Sequence, residues 1–311
     1  MRILVYGAGV IGSVMAGFLC RNGNDVTVMA RNKRYDELCR KGLLLRHKDS
    51  QRVLKCDVKI IDKLYNNDIY DYVIVTVRYE QIESVLTALK SNRSKNIVTM
   101  VNNPKGYGTW EKILGNGRLI PAFPGAGGKI VDGTAVYQIV SPIIQPTTIG
   151  ELDGTISDRI KALKRALKKA GIPSTISRNM DCWQKSHLAM VIPFSNAYYF
   201  SGQNTYEVSK NKNIMDKTVL ALKENFNFLK ASDIGITPPK FNIFLYCPKP
   251  LLSFVLGIVF NTKWAETVMY NHCMNAVSEM ALLNQAFITL AEQNGFDLSV
   301  TKEMSKNTFL V

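Results

Sequence analysis

Short apolar runs alternating with amphipathic stretches fill the first part of the chain, and long helical periodicities fill the rest. Residues 2–6 (RILVY) form an apolar run of strand length, 10–20 read as an apolar helix, and 25–29 (DVTVM) as a second strand. Further strands are expected at 72–77 (YVIVTV), 97–101, 118–121, 134–140 and 148–150, with a small strand excursion between 43 and 61. Helices are expected at 80–89 and 158–170, the second stopped by Gly171 and Pro173. Beyond Arg178 the strand patterns end, and helical ones run over 181–200, 207–231 and 264–294, with Gly295 as the last stop. Strands alternating with helices predict an α/β fold, a Rossmann-type doubly wound sheet, followed here by an all-α second domain. The boundary is expected near Arg178, giving domains 1–178 and 179–311, and the length suits two domains of ordinary size.

Between the first strand and the first helix stand Gly7, Ala8, Gly9, Val10, Ile11 and Gly12, with the glycines at G-x-G-x-x-G spacing. The first glycine permits a tight turn, the second lets backbone approach a pyrophosphate, and the third lets helix and strand pack closely. Unpaired N–H groups and the positive end of the helix dipole then point at the anion. The motif alone is a weak signal, but a strand before it and a helix and second strand after it point to dinucleotide binding.

At the end of the second strand a protein choosing NAD usually offers an acid to the ribose 2′-hydroxyl. This chain has Ala30, Arg31, Asn32, Lys33 and Arg34 there, so cations replace the acid and the expected cofactor is NADP(H), with Arg31 on the 2′-phosphate. Arg78 follows the strand at 72–77, and the turn Asn102-Asn103-Pro104-Lys105-Gly106 follows the strand at 97–101. Ligands of doubly wound sheets lie outside such strand ends, which makes Arg78 and Asn103 candidates for cofactor contact.

Charge changes the picture little. The formal net charge of +14 is consistent with nucleic-acid binding, but the basic residues are scattered and no binding module is recognisable. We read it as a lysine-rich surface that concentrates anionic small molecules, with no nucleic-acid partner. The longest apolar run, 251–260 (LLSFVLGIVF), is about half a membrane span, so no membrane partner is expected; the run reads as a homodimer surface, a lid or helical core. No charged and apolar leader precedes the first strand, which points to a cytoplasmic protein. The six cysteines include no C-x-x-C pair and there are three histidines, so neither a disulfide framework nor a metal site is expected.

With the glycine loop, Arg31, the asparagine turn and a helical second domain laid out, the chain resembles the ketopantoate reductase (2-dehydropantoate 2-reductase) family over essentially its full length. Asn103 matches the asparagine of the family's Gln-Asn-Gly turn near nicotinamide and substrate, while Pro104 departs from it. Thr148-Ile149-Gly150-Glu151 looks like the family's Ile-Gly-Glu strand end, and Arg78 stands where the family has a cofactor-contacting lysine. Trp183-Gln184-Lys185 resembles the family's Trp-x-Lys, which implies Lys185 as general acid. Ser278-Glu279-Met280 resembles the helix motif whose glutamate binds the substrate hydroxyl, which implies Glu279 in that role, and Thr267 stands where the family has a carboxylate-holding serine. His272, Asn275 and Glu279 are spaced to share a helix face. Two family asparagines are replaced by Ala189 and Pro193, which implies a rebuilt pocket towards which Asn196 is expected to swing.

The implied activity is NADPH-dependent reduction of a small 2-oxo acid to a 2-hydroxy acid, best ketopantoate to pantoate. Ala189 leaves open a more apolar 2-oxo acid handled by the same mechanism. A non-catalytic NADPH-binding regulatory protein is the alternative of another class, and the intact Trp-x-Lys speaks against it.

Overall fold

The computed structural model describes residues 1–202 and 204–306, the side chain of His272 excepted. Contacts divide the chain into two compact units, one of Met1–Val101 with Tyr107–Met180, the other of Asn102–Gly106 with the chain from Asp181 onward.

The first unit runs β1 (Arg2–Tyr6), α1 (Val10–Arg21), β2 (Asp25–Met29), α2 (Asn32–Lys41), β3 (Leu43–His47), β4 (Val53–Cys56), β5 (Lys59–Ile61) and β6 (Tyr72–Val75). It continues through α3 (Ile82–Leu89), β7 (Ile97–Met100), α4 (Gly108–Leu114), β8 (Leu119–Phe123), β9 (Ala126–Val131), β10 (Thr134–Ile139), β11 (Thr147–Ile149), α5 (Asp158–Lys169) and β12 (Ser174–Ile176). The main sheet has the order β12-β11-β8-β7-β6-β1-β2-β5. From β5 to β8 all pairings are parallel, whereas β11 runs antiparallel to β8. Ile3, Val5, Val28, Ile74 and Val98 are buried in this sheet, which is why its strands read as continuous apolar runs. β1 lies between β2 and β6, so the strand order reverses beside it, and that is where open α/β sheets bind ligands.

A second sheet, β4-β3-β10-β9, packs on α1. The approach is close: a Cβ on Gly17 of α1 would come within 2.4 Å of Leu45 on β3. Strand β9 lies outside the expected elements because Gly127 and Gly128 interrupt its apolar pattern, and β12 was likewise not expected.

The second unit is helical, which bears out the expected fold class of a Rossmann-type α/β sheet followed by an all-α region. Its helices are α6 (Met180–Ser201), α7 (Thr205–Lys210), α8 (Lys212–Ala231), α9 (Ile243–Tyr246), α10 (Lys249–Phe260), α11 (Lys263–Ala265), α12 (Asn271–Asn275), α13 (Val277–Gln293) and α14 (Ser299–Ser305). Two expected long helices are broken. The pattern at 207–231 divides at Asn211, whose side chain accepts from Ile214 N at 3.2 Å and so starts α8 as an N-cap. The pattern at 264–294 passes through a π-helical turn, Glu266–Tyr270, and breaks at Ala276, whose φ of −132° and ψ of 32° are not helical. Among the described residues no helix is long and apolar enough to cross a membrane, and all six cysteines are free.

Candidate functional site

The glycine loop follows from contacts that forbid side chains. Gly7 has φ +109°, which L side chains rarely adopt, and its N–H donates to the Met29 carbonyl at 3.0 Å. A Cβ on Gly12 would stand 1.9 Å from the Gly7 carbonyl oxygen and 2.6 Å from Thr76 Oγ1. Thr76 Oγ1 in turn donates to the Gly7 carbonyl at 2.9 Å, tying the loop to the end of β6. Gly9 differs, since a Cβ there would meet no protein atom within 4 Å. It is the N-cap of α1, with no side-chain cap and no acid in the first helical turn. The first N–H groups of α1 therefore have no side-chain cap and lie beside the one glycine of these three whose missing Cβ leaves open space. This cradle fits a pyrophosphate.

A cavity of about 650 Å³ opens there, lined by Gly7, Ala8, Gly9, Arg31, Thr76 and Arg78 among others. The expected cofactor residues of the first unit thus come together, with Val10 and Ile11 half-buried at the start of α1. Arg31 is exposed, lies 5.6 Å over the Tyr6 ring and donates to the Tyr6 hydroxyl. Lys33, also exposed, lines the same cavity.

Arg34 has a different task. Its Nε donates to the Ala8 carbonyl at 2.9 Å, Nη1 to the Gly133 carbonyl at 2.8 Å and Nη2 to Ser13 Oγ at 3.3 Å, while Nη1 also pairs with Glu37 at 3.3 Å. One guanidinium so joins the glycine loop, α1 and the β9–β10 turn. Composition hid this role, because Arg34 looks like one more cation in a basic run.

In the second unit the turn Asn102–Gly106 meets the start of α6. Asn103 is buried, its Nδ2 donates to the Gly106 carbonyl at 2.9 Å, and its Oδ1 accepts from Lys105 N at 3.1 Å. That side chain shapes its own turn, and a Cβ on Gly106 would stand 3.3 Å from Asp181 Oδ1. Asp181 Oδ2 lies 2.5 Å from Lys185 Nζ, and the lysine side chain is only 13% exposed. Asp181 was not among the expected site residues, although its i,i+4 spacing from Lys185 puts the two on one helix face. Trp183 stacks on His187 at 5.2 Å with 9° between the rings.

Other expected substrate residues are dispersed. Asn196 does not swing towards open space: it is fully buried and exchanges side-chain hydrogen bonds with Asn284 of α13 at 3.0 and 2.9 Å. Thr267 Oγ1 donates to the Lys263 carbonyl of its own turn at 2.8 Å. Glu279 lies in the first turn of α13, across the Ala276 break from positions 272 and 275 of α12, so His272, Asn275 and Glu279 do not lie on one continuous helix. The His272 side chain lies outside the described residues. Among those residues no group of His, Cys, Asp or Glu is placed to hold a metal ion.

An open, mostly parallel sheet with a glycine loop at the reversal of its strand order, followed by a helical unit, defines a Rossmann-type α/β protein. Residues 3–154, just under half of the chain, match the family model Ketopantoate reductase PanE/ApbA. The 2-dehydropantoate 2-reductase of Aquifex aeolicus (strain VF5) is 27% identical over 184 residues, 58% of this chain and 56% of that protein. The 2-dehydropantoate 2-reductase of Pyrococcus horikoshii is 25% identical over 185 residues, 59% of this chain and 58% of that one. The chain therefore spans little more than half the length of these curated relatives. Fold similarity reaches further. A PanE/ApbA family ketopantoate reductase from Ralstonia eutropha JMP134 superposes with a TM-score of 0.79 at 14% identity, covering 100% of this chain and 98% of that one. D-mandelate dehydrogenase in its ternary structure with NADH and anilino(oxo)acetate gives 0.78 at 14% identity, covering 100% and 98%.

Proposed function

We propose that the protein is an NADPH-dependent reductase of a small 2-oxo acid, with ketopantoate as the first substrate to test and pantoate as its product. The observation that carries this reading is the family match over residues 3–154, a stretch that includes the glycine loop, Arg31, Arg78 and Asn103. NADPH is favoured over NADH by the cations Arg31 and Lys33 on the cavity rim, at the position where an acid would select the ribose hydroxyl.

In this reading the N–H groups at the start of α1 would hold the pyrophosphate, Arg31 would hold the 2′-phosphate, and Arg78 would contact the cofactor. The bound cofactor supplies hydride to the substrate's carbonyl carbon. Negative charge then grows on the carbonyl oxygen, and the Lys185 ammonium stabilises it and transfers a proton from Nζ to that oxygen. Asp181 fixes the lysine's position through its carboxylate. Solvent returns the proton to Nζ for the next turnover. Glu279 orients the substrate, and Asn103 keeps its turn in shape.

A second reading keeps the chemistry and changes the acid. Ala189 and Pro193 replace two family asparagines, and the fold is shared over the full chain with a D-mandelate dehydrogenase bound to anilino(oxo)acetate, which favours a more apolar 2-oxo acid. A panel of 2-oxo acids followed by NADPH absorbance decides between them. Turnover of ketopantoate well above the aryl and branched acids supports the first reading, the reverse order supports the second, and binding of NADPH without turnover of any acid refutes both.

A further inference from the structure

Among the described residues, the second unit carries an apolar surface that their packing leaves exposed. On α10 the side chains of Leu252, Leu256 and Phe260 turn inward and are at most 5% exposed. Leu251, Phe254, Val255 and Ile258, spaced i, i+3, i+4 and i+7, form a second stripe with exposures of 53%, 67%, 39% and 56%. The short helix α9 adds Ile243 and Tyr246, 51% and 69% exposed. Apolar side chains grouped in this way mark an interaction surface.

The stretch of chain that forms this surface carries charge of one sign. Between Asp233 and Glu266 the chain has no acidic residue, and it has Lys240, Lys249 and Lys263, all exposed. Lys230 Nζ lies 5.3 Å over the Tyr246 ring. Of the helices packed on α10, α8 brings Asp216, which accepts from Ser253 Oγ at 2.9 Å, and α7 brings Glu207, 3.9 Å from Lys210. Those acids are engaged beside the stripe, and the chain as a whole carries +14. A second copy docked across a twofold axis would bring the same lysines face to face, each copy with that net charge. An anionic surface instead gains from both the apolar stripe and its lysine fringe.

We propose that the α9–α10 face docks the protein on an anionic phospholipid surface. Leu251, Phe254 and Ile258 enter the headgroup boundary, Tyr246 sits at its polar edge, and Lys240, Lys249 and Lys263 face lipid phosphates. The helix lies in the plane of the surface and spans nothing, since twelve residues of α-helix are far shorter than a bilayer core.

Co-sedimentation of the full chain with vesicles tests this. Binding to phosphatidylglycerol/phosphatidylcholine vesicles is expected to be at least about tenfold tighter than to phosphatidylcholine alone and to weaken at high salt, as screened charge requires. Phe254→Asp with Ile258→Asp is expected to abolish it, and Lys240→Gln with Lys249→Gln and Lys263→Gln to remove the anionic preference. Circular dichroism reports folding, and should the aspartate variant fail to fold, the lysine variant decides. Equal binding to both vesicle types, no binding at all, or wild-type behaviour of the lysine variant overturns the proposal. So does a dimer in sedimentation equilibrium that Phe254→Asp dissociates.

Discussion

Asn225 Nδ2 donates to the Ala189 carbonyl oxygen at 3.2 Å, the acceptor that Pro193, four residues later and without an N–H, leaves unserved. Asn225 is itself held by Thr301 Oγ1 at 2.8 Å, and Ala189, Pro193 and Asn225 are all buried. An asparagine of α8 thus replaces the backbone bond that proline removes from α6, and α6 continues to Ser201. Replacing Asn225 by leucine leaves that carbonyl and the threonine hydroxyl without it and is expected to cost about 1 to 3 kcal/mol. Pro193→Ala restores the backbone donor, so the two substitutions should be strongly non-additive in a denaturation double-mutant cycle. Simple additivity would show that the proline and the asparagine act separately.

Lys185 and Asp181 form the corresponding pair at the start of α6. Lys185→Ala should lower kcat by about 10² to 10⁴, the range of a lost general acid. Asp181→Asn should lower kcat less, by about tenfold, through poorer positioning, while the melting temperature stays nearly constant because a partly exposed i,i+4 pair contributes only about 0.3 to 0.5 kcal/mol. Steady-state NADPH oxidation alongside a thermal melt separates the two effects. A large fall in stability with unchanged kcat for Asp181→Asn would make the pair a structural one.

Much of the first unit is readable from local pattern, because β1, β2, β6 and β7 are buried and spell out apolar runs, and the glycine spacing records close contacts along one short stretch. What is not readable depends on partners distant in sequence. Arg34 and Gly133, Asn196 and Asn284, and Ala189 and Asn225 meet only when the chain is folded. Without those partners Arg34 passes for a surface cation, and the backbone bond that Pro193 removes from Ala189 reads as simply lost. The broken helices have a local origin instead: hydrophobic periodicity runs through Asn211 and Ala276, whereas a capping side chain at the first and a non-helical φ, ψ of −132°, 32° at the second interrupt the helix.

The two glycines of the loop should fail differently. Gly12→Ala places a methyl group within 1.9 Å of the Gly7 carbonyl, so β1 and α1 must separate, with an expected loss of about 1 to 3 kcal/mol of stability as well as of cofactor binding. Gly9→Ala meets no protein atom and should melt like the wild type while binding NADPH more weakly. Melting curves with and without NADPH check this. A Gly9→Ala protein with unchanged affinity would move the pyrophosphate away from the loop.

Arg31 and Arg34 also separate into a ligand effect and a fold effect. Arg31→Ala should lower affinity for NADPH by about ten- to a hundredfold, equivalent to a charged hydrogen bond of about 1.5 to 3 kcal/mol, and affect NADH little. Arg34→Ala removes bonds to the Ala8 and Gly133 carbonyls and leaves Glu37 unpaired by it, so both cofactors should weaken alike and the melting temperature should fall. Titration of each variant with both cofactors reads this directly. Equal loss of NADH and NADPH in Arg31→Ala would remove the 2′-phosphate from its assignment.

The C-terminal helix α14 is expected to loosen on acidification. Glu303 pairs with Lys217 of α8, and that hydrogen bond holds its carboxyl below the usual glutamate range. Lys302, pushed up to about 12 by hydrogen bonds to Asp297 and Glu292, bridges α14 to the end of α13. A depressed carboxyl contributes stability above its unfolded value and loses it as pH falls through the folded one; a raised lysine contributes below its unfolded value and loses it only as pH climbs through about 12. As pH falls from neutral through and below the ordinary glutamate range, the Glu303 tie should therefore weaken while Lys302 keeps its charge. Hydrogen-exchange protection factors of α14 should fall relative to those of α13 over that range. Glu303→Gln should start with the lower protection and lose most of the pH response, and an unchanged response in that variant would place the titrating group elsewhere.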